Sequence, residues 1–191
     1  MTASTRVRLS VEEYLKLEKN ALERHEYVDG VLHAMAGDKK RNNRTVRRIV
    51  ERLGPAVDVR ECDLFFTVVK VRVAETRYRY PDVVVTCEED ADEYLVLAPC
   101  AIFEVLSDST EKTDTEDKLE EYLKIPSLER YVLVRQESKT AIVYARDASG
   151  WRVNLLEEQG DIEVPCLGMV LKLICTSVPE KIAKRLLRLD S

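Results

Sequence analysis

Apolar and polar positions alternate along the chain in blocks that predict a short helix, a hairpin, a longer helix and then a strand-rich centre. Ser10 and Glu13 form an S-x-x-E capping box, which opens a helix running to about residue 19. "HEYVDGVLHAM" reads as a hairpin turning at Asp29-Gly30, a dipeptide that tolerates the positive φ of a type I′ turn. Val46, Ile49, Val50 and Leu53 recur at helical spacing and predict a helix over about 41–53, ended by Gly54-Pro55. Three apolar runs follow as strands: "LFFTVVKVRV" (64–73), "YPDVVVT" (80–86) and "CAIFEVLS" (100–107). A helix over about 114–124, with Thr113 and Glu116 as a second capping box, is stopped by Pro126. "RYVLVRQ", "TAIVYAR" and "WRVNLLE" predict further strands, with a turn at Ser149-Gly150. Ser177 and Glu180 then cap a last helix through Leu189.

With no internal repeat and no linker-like tract, this order suggests one α/β (α+β) domain over residues 1–191, built around a mixed sheet. The 191 residues are enough for one sizeable core. No run approaches the roughly 18 apolar residues that span a bilayer, so no membrane partner is expected. "MTASTRVRLSVEEY" carries no apolar signal core, and a cytoplasmic location is the expectation. The five cysteines are widely spaced, without a C-x-x-C pair, and each lies in or beside an apolar segment. They read as buried reduced thiols, not as a disulfide framework or a zinc site. Two histidines, His25 and His33, disfavour His-based metal clusters and Ser-His-Asp catalysis, which leaves carboxylates and lysines as the candidate chemistry.

The net charge of −5 argues against indiscriminate polyanion binding, but the charges are segregated. Residues 38–53 carry seven basic side chains against two acidic ones, whereas 108–121 carry seven acids against two lysines. Asp82 and Glu104 are carboxylates at or within strands that are otherwise apolar. If those strands are neighbours, the two converge, and paired carboxylates repel unless a proton or a cation lies between them. Oxygen-only ligation suits Mg²⁺ or Mn²⁺. The residues alone leave a second reading open, with Asp82 a turn residue and Glu104 bonded to an arginine such as Arg79 or Arg130. Lys118 lies beside the buried stripe Leu119, Tyr122 and Leu123, where an ammonium can orient a water and stabilise charge on phosphate. Its alternative is a solvated pair with Asp114.

"HEYVDGVLHAMAG", "RYPDVVV", "IFEVLSDST", "TDTEDKLEEY" and "IPSLERYVLV" occur in the order found in the Uma-type restriction endonucleases of the PD-(D/E)XK superfamily, which this chain resembles from about residue 10 to 178. The resemblance implies a restriction-endonuclease-like core, a central mixed sheet flanked by helices, and Mg²⁺-dependent hydrolysis of phosphodiester bonds. It matches Asp82 and Glu104 to the metal-binding acids, with the Val105 carbonyl as a further ligand. The superfamily lysine position two residues after the glutamate is Leu106 here, and Lys118 on the next helix matches the lysine of the Uma-type branch. Glu26 matches an upstream acid that helps hold or relay the metal; its alternative is a solvent-facing hairpin residue. Two departures are Asn42, where many relatives have histidine, and Asp108, where they usually have proline.

Under this resemblance Lys39, Lys40, Arg41 and Arg44 can contact a nucleic-acid backbone, with Asn42 and Asn43 adding hydrogen bonds to phosphate. A solubilising helix face is the plainer reading of the same stretch. DNA is thus the expected partner, and a homodimer would supply two centres for two strands. The competing function is a catalytically silent nucleic-acid-binding or protein-interaction module on the same fold.

Overall fold

A computed structural model describes residues 8–35, 40–67, 69–106, 117–135 and 140–174. The expected helix over 177–189, the Thr113/Glu116 cap, Lys39, Asp108, Asp114 and Cys175 lie outside the described residues.

Helix α1 (Val11–Lys19) opens on the expected capping box: Ser10 Oγ accepts from the Glu13 N–H, and the Glu13 carboxylate accepts from the Ser10 N–H at 2.7 Å. Strands β1 (His25–Val28) and β2 (Val31–Ala34) form the expected hairpin, with φ of 48° at Asp29 and 95° at Gly30. Positive φ at both central residues is what a type I′ turn requires.

Helix α2 covers Lys40–Arg60 and runs through Gly54 and Pro55 instead of ending there. Pro55 removes one hydrogen-bond donor, which costs about 3 kcal/mol in a helix interior. The extra turns bury Val57 with Leu53 against the sheet, an apolar gain of about 1.5–3 kcal/mol for the one side chain. Tertiary packing thus offsets a local stop signal that periodicity alone could not weigh.

The expected strand over 64–73 is two strands in two sheets. β3 (Asp63–Phe66) is the edge of a six-stranded sheet, and β4 (Lys70–Ala74) belongs to a five-stranded one. The chain turns at Thr67, whose φ is 63° and whose N–H donates to the Asp82 carbonyl at 3.2 Å. A continuous apolar run cannot reveal a change of sheet, because both halves have the apolar composition of a strand.

The remaining strands are β5 (Arg77–Arg79), β6 (Val83–Thr86), β7 (Leu95–Val96), β8 (Pro99–Leu106), β9 (Arg130–Arg135), β10 (Thr140–Asp147), β11 (Gly150–Glu157), β12 (Gln159–Val164) and β13 (Met169–Ile174). The sheets run β11-β10-β9-β8-β6-β3 and β2-β1-β5-β4-β7, with β12-β13 a separate hairpin that the sequence reading did not assign. Both large sheets are mixed, because β8 pairs with β9 and β4 with β7 in parallel. The parallel β8–β9 step needs a crossover, and helix α3 (Asp117–Leu123) lies on it.

Alternation along β6 and β8 separates two cores. Val83, Val85, Ala101 and Phe103 face α2 through Val46, Ile49 and Leu53. Val84 and Ile102 face the other way, toward Tyr122 of α3 and Val71 and Val73 of β4. The central mixed sheet flanked by helices is therefore present. Four cysteines depart from expectation, being paired as Cys62–Cys87 and Cys100–Cys166. Cys62 and Cys87 occupy facing positions just beyond the Asp63↔Thr86 pair, and their Cα atoms are 4.1 Å apart. Separations of 25 and 66 residues concealed a proximity that only the topology creates.

Phe103 is fully buried between α2 and the sheet, whereas Val153 is largely exposed on β11. Phe103→Ala is expected to lower the unfolding free energy by about 3–5 kcal/mol in urea titrations, and Val153→Ala to change it by less than about 0.5 kcal/mol.

Candidate active site

Asp82 and Glu104 meet because the β6–β8 ladder places them opposite each other. Val83 pairs with Phe103, so the next position outward sets Asp82 against Glu104, both on the face that carries Val84 and Ile102. The Val105 N–H donates to Asp82 Oδ2 at 2.7 Å, which fixes the aspartate at the strand mouth. Pro81 and Thr67 frame it: the backbone ladder ends at Val83, two residues after Pro81, and the Thr67 N–H donates to the Asp82 carbonyl. Asp82 is half-buried and Glu104 is 3% exposed.

Helix α3 brings Lys118, Glu121 and Tyr122 onto this face, the i, i+3, i+4 spacing of one helical stripe. Lys118 Nζ lies 3.4 Å from Glu104 Oε1 and 3.1 Å from Glu26 Oε1 on β1. The Tyr122 hydroxyl donates to the same Glu104 oxygen at 3.1 Å. Burial, reinforced by the Glu104 charge, pushes the Tyr122 hydroxyl well above its usual range, so it remains a donor.

Behind these groups sits Arg79, at the end of β5. Its guanidinium donates to Glu121 through Nε at 2.7 Å and Nη2 at 2.9 Å, and to Glu26 through Nη1 at 2.9 Å. Arg77 adds a bond to Glu121 at 2.9 Å and another to Asp29 of the hairpin turn at 3.0 Å. Burial acts to lower the Arg79 pKa, but its hydrogen bonds and attraction to Glu121 and Glu26 outweigh this and raise it. Burial acts to raise the Glu26 pKa; attraction to Lys118 and Arg79 wins and holds it below the usual carboxylate range.

The structure thus gathers Asp82, Glu104, Lys118 and Glu26 on one side of the sheet. Glu26 is buried in the cluster rather than facing solvent. Glu104 is bonded to Lys118 and Tyr122, while Arg79 serves Glu26 and Glu121 and Arg130 bonds the carbonyls of Glu163, Glu129 and Arg146. Lys40, Arg41, Asn43 and Arg44 are exposed on the first turns of α2. Asn42 is 4% exposed and turned into the protein, away from that basic face. An asparagine among arginines gave no sign of this inward position.

The family model described as "Putative restriction endonuclease", Uma2, matches residues 11–175. The chain belongs to the Uma2 family. Two relatives from Synechocystis sp., the uncharacterized proteins slr1290 and sll1609, are each 31% identical to it, over 166 and 170 residues. The alignments cover 85% of this chain and 87% and 96% of the two relatives. A crystal structure from Anabaena variabilis, described as a putative nuclease belonging to DUF820, superposes with a TM-score of 0.69 at 18% identity. It covers 86% of this chain and 95% of that one, and shows a shared fold.

Within this Uma2 chain, sequence reasoning missed the roles of Arg79, Glu121 and the Tyr122 hydroxyl. The signal for the last two was available in Lys118-x-x-Glu121-Tyr122, where a glutamate shares the stripe of a buried tyrosine. Arg79 entered the sequence reading only as an alternative partner of Glu104, and nothing there pointed to Glu26 and Glu121.

The depressed Glu26 pKa has a definite pH consequence. A group with a folded pKa below its unfolded value contributes stability above the unfolded value, about 4.3, and loses it as pH falls through the folded one. Glu26→Gln is therefore expected to destabilise the protein at neutral pH, and the difference from wild type to shrink below about pH 4. Urea unfolding across that range checks this; a gap independent of pH would contradict it.

Proposed function

We propose that this chain is a divalent-metal-dependent endonuclease that hydrolyses DNA phosphodiester bonds. The observation carrying this reading is that Lys118 Nζ reaches carboxylates of both β1 and β8, at 3.1 and 3.4 Å, beside the strand mouth where Asp82 faces Glu104. Membership of a family described as restriction endonucleases supports it.

The donors at the strand mouth are hard oxygens, two carboxylates with the Val105 carbonyl alongside, a set that fits Mg²⁺ or Mn²⁺. Asp82, Glu104 and Val105 would hold the ion, which when bound supplies Lewis-acid stabilisation of phosphate charge and a more acidic water. Lys118 orients the attacking water and stabilises negative charge on the phosphoryl oxygens. Glu26 and Tyr122 act through others: Glu26 positions the Lys118 ammonium, and Tyr122 fixes the Glu104 carboxylate. The Tyr122 hydroxyl donates to the oxygen that Lys118 also contacts, which sets that carboxylate's rotation.

Lys40, Arg41 and Arg44, with Lys39 preceding them, contact the DNA backbone and position it without reading sequence. Asn42, being buried, supports this turn from inside. The domain acts as a homodimer, so that two centres meet the two strands.

With Mg²⁺ or Mn²⁺ the purified protein is expected to nick and linearise supercoiled plasmid, and to stop on chelation. Glu104→Gln and Lys118→Met are each expected to slow cutting by at least about 10²-fold, with circular dichroism confirming that both variants fold. Equal cutting by wild type and variants would overturn the assignment. Metal-independent, salt-sensitive DNA binding without cutting would favour a silent binding module instead.

A further inference from the structure

Four sulfurs from distant parts of the chain come together at the end of the sheet opposite the candidate active site. Cys62 directly precedes β3, Cys87 directly follows β6, Cys100 is the second residue of β8, and Cys166 sits in the 3₁₀ turn Pro165–Leu167 after β12. The β6–β8 ladder runs from Val83↔Phe103 at the active-site end to Thr86↔Pro99 at this one.

Two disulfides would account for pairs of sulfurs, but not for the way the pairs sit together. The sulfurs of Cys87, Cys100 and Cys166 lie within 4.8 Å of one another, although Cys87 belongs to one pair and the other two to the second. Cys62 falls outside that set and adjoins it through its bond to Cys87. Isolated structural disulfides have no reason to abut. Four thiolates around one ion do, since zinc–sulfur bonds of about 2.3 Å place tetrahedral sulfurs about 3.8 Å apart.

We propose that the reduced form of this cluster is a four-cysteine site for a single zinc-type divalent ion, with Cys62, Cys87, Cys100 and Cys166 as its ligands. Reduction frees each pair to open to about 3.8 Å and lets Cys62, which lies outside the three-sulfur set, rotate in as the fourth ligand. Each disulfide takes two electrons and two protons from a dithiol, which closes to its own cyclic disulfide. The four thiols then release their protons to solvent as the ion binds. Cys100 is buried, Cys62 and Cys166 are half-buried and Cys87 is exposed, so the site has a packed floor and an open side for the ion to enter. Arg60 places its guanidinium against Gly168, two residues from Cys166, where it offsets part of the negative charge of four thiolates. The ion would tie the β12–β13 hairpin to β3, β6 and β8, a structural role separate from the oxygen site.

The test uses the full chain, reduced with dithiothreitol, desalted without oxygen and titrated with Co²⁺. Sulfur-to-cobalt charge-transfer absorption should appear and saturate at one equivalent, and one equivalent of Zn²⁺ should bleach it. Cys87→Ser and Cys166→Ser should each lose that absorption, whereas Cys175→Ser and Glu104→Gln should keep it. If the reduced chain loses its fold, Zn²⁺ should restore its circular dichroism and melting transition. A folded reduced chain without charge-transfer absorption, absorption that survives Cys166→Ser, or a reduced chain that Zn²⁺ fails to refold would each overturn the proposal.

Discussion

Three glutamates, Glu26, Glu104 and Glu121, are buried together with Arg79 and Lys118, which pair with them. An uncompensated buried charge costs several kcal/mol. The two cations therefore dictate which elements must meet. Arg79 ties β5 to β1 and α3, and Lys118 ties α3 to β1 and β8. Because α3 lies on the crossover between parallel strands, its docking also sets the geometry of the β8–β9 step. The polar cluster that holds α3 in place is the one that aims Lys118 at the strand mouth.

That arrangement gives a graded environment for the carboxylates. Glu121 and Glu26 face the guanidinium of Arg79, Glu104 shares one oxygen between an ammonium and a phenol, and Asp82 is half-buried at the edge. Burial thus falls off from the interior toward the mouth. The proposed cation would be received at that more open end, with Lys118 between it and the interior. The break between β3 and β4 matters here as well, since Thr67 turns the chain out of one sheet and braces Asp82 from behind.

How much of this was legible in the sequence differs from element to element. The α1 cap and the Asp29-Gly30 turn were readable because each depends on contacts within a few residues. Asp82 and Glu104 stood out as charges on otherwise apolar strands and Lys118 as a lysine beside a buried helical stripe, and their order resembled one family. The pairing of Arg79 with Glu26 and Glu121 did not stand out, because these residues are 42 to 53 positions apart and only the two-sheet topology brings them together. The same reason hid the cysteine cluster. Local stop signals misled at Gly54-Pro55, where packing of the extra turns, Val57 among them, offset a proline in the helix. Continuous apolar patterning misled over 64–73, where one run serves two sheets.

The central claim is that the mouth of β6 and β8 is a cation site framed by Lys118. Anomalous diffraction from crystals soaked in Mn²⁺ addresses it most directly. A single manganese peak between the side chains of Asp82 and Glu104, absent from Glu104→Gln crystals, is the predicted result. Manganese elsewhere with nothing at this mouth, or a peak at the mouth that survives the substitution, would contradict it.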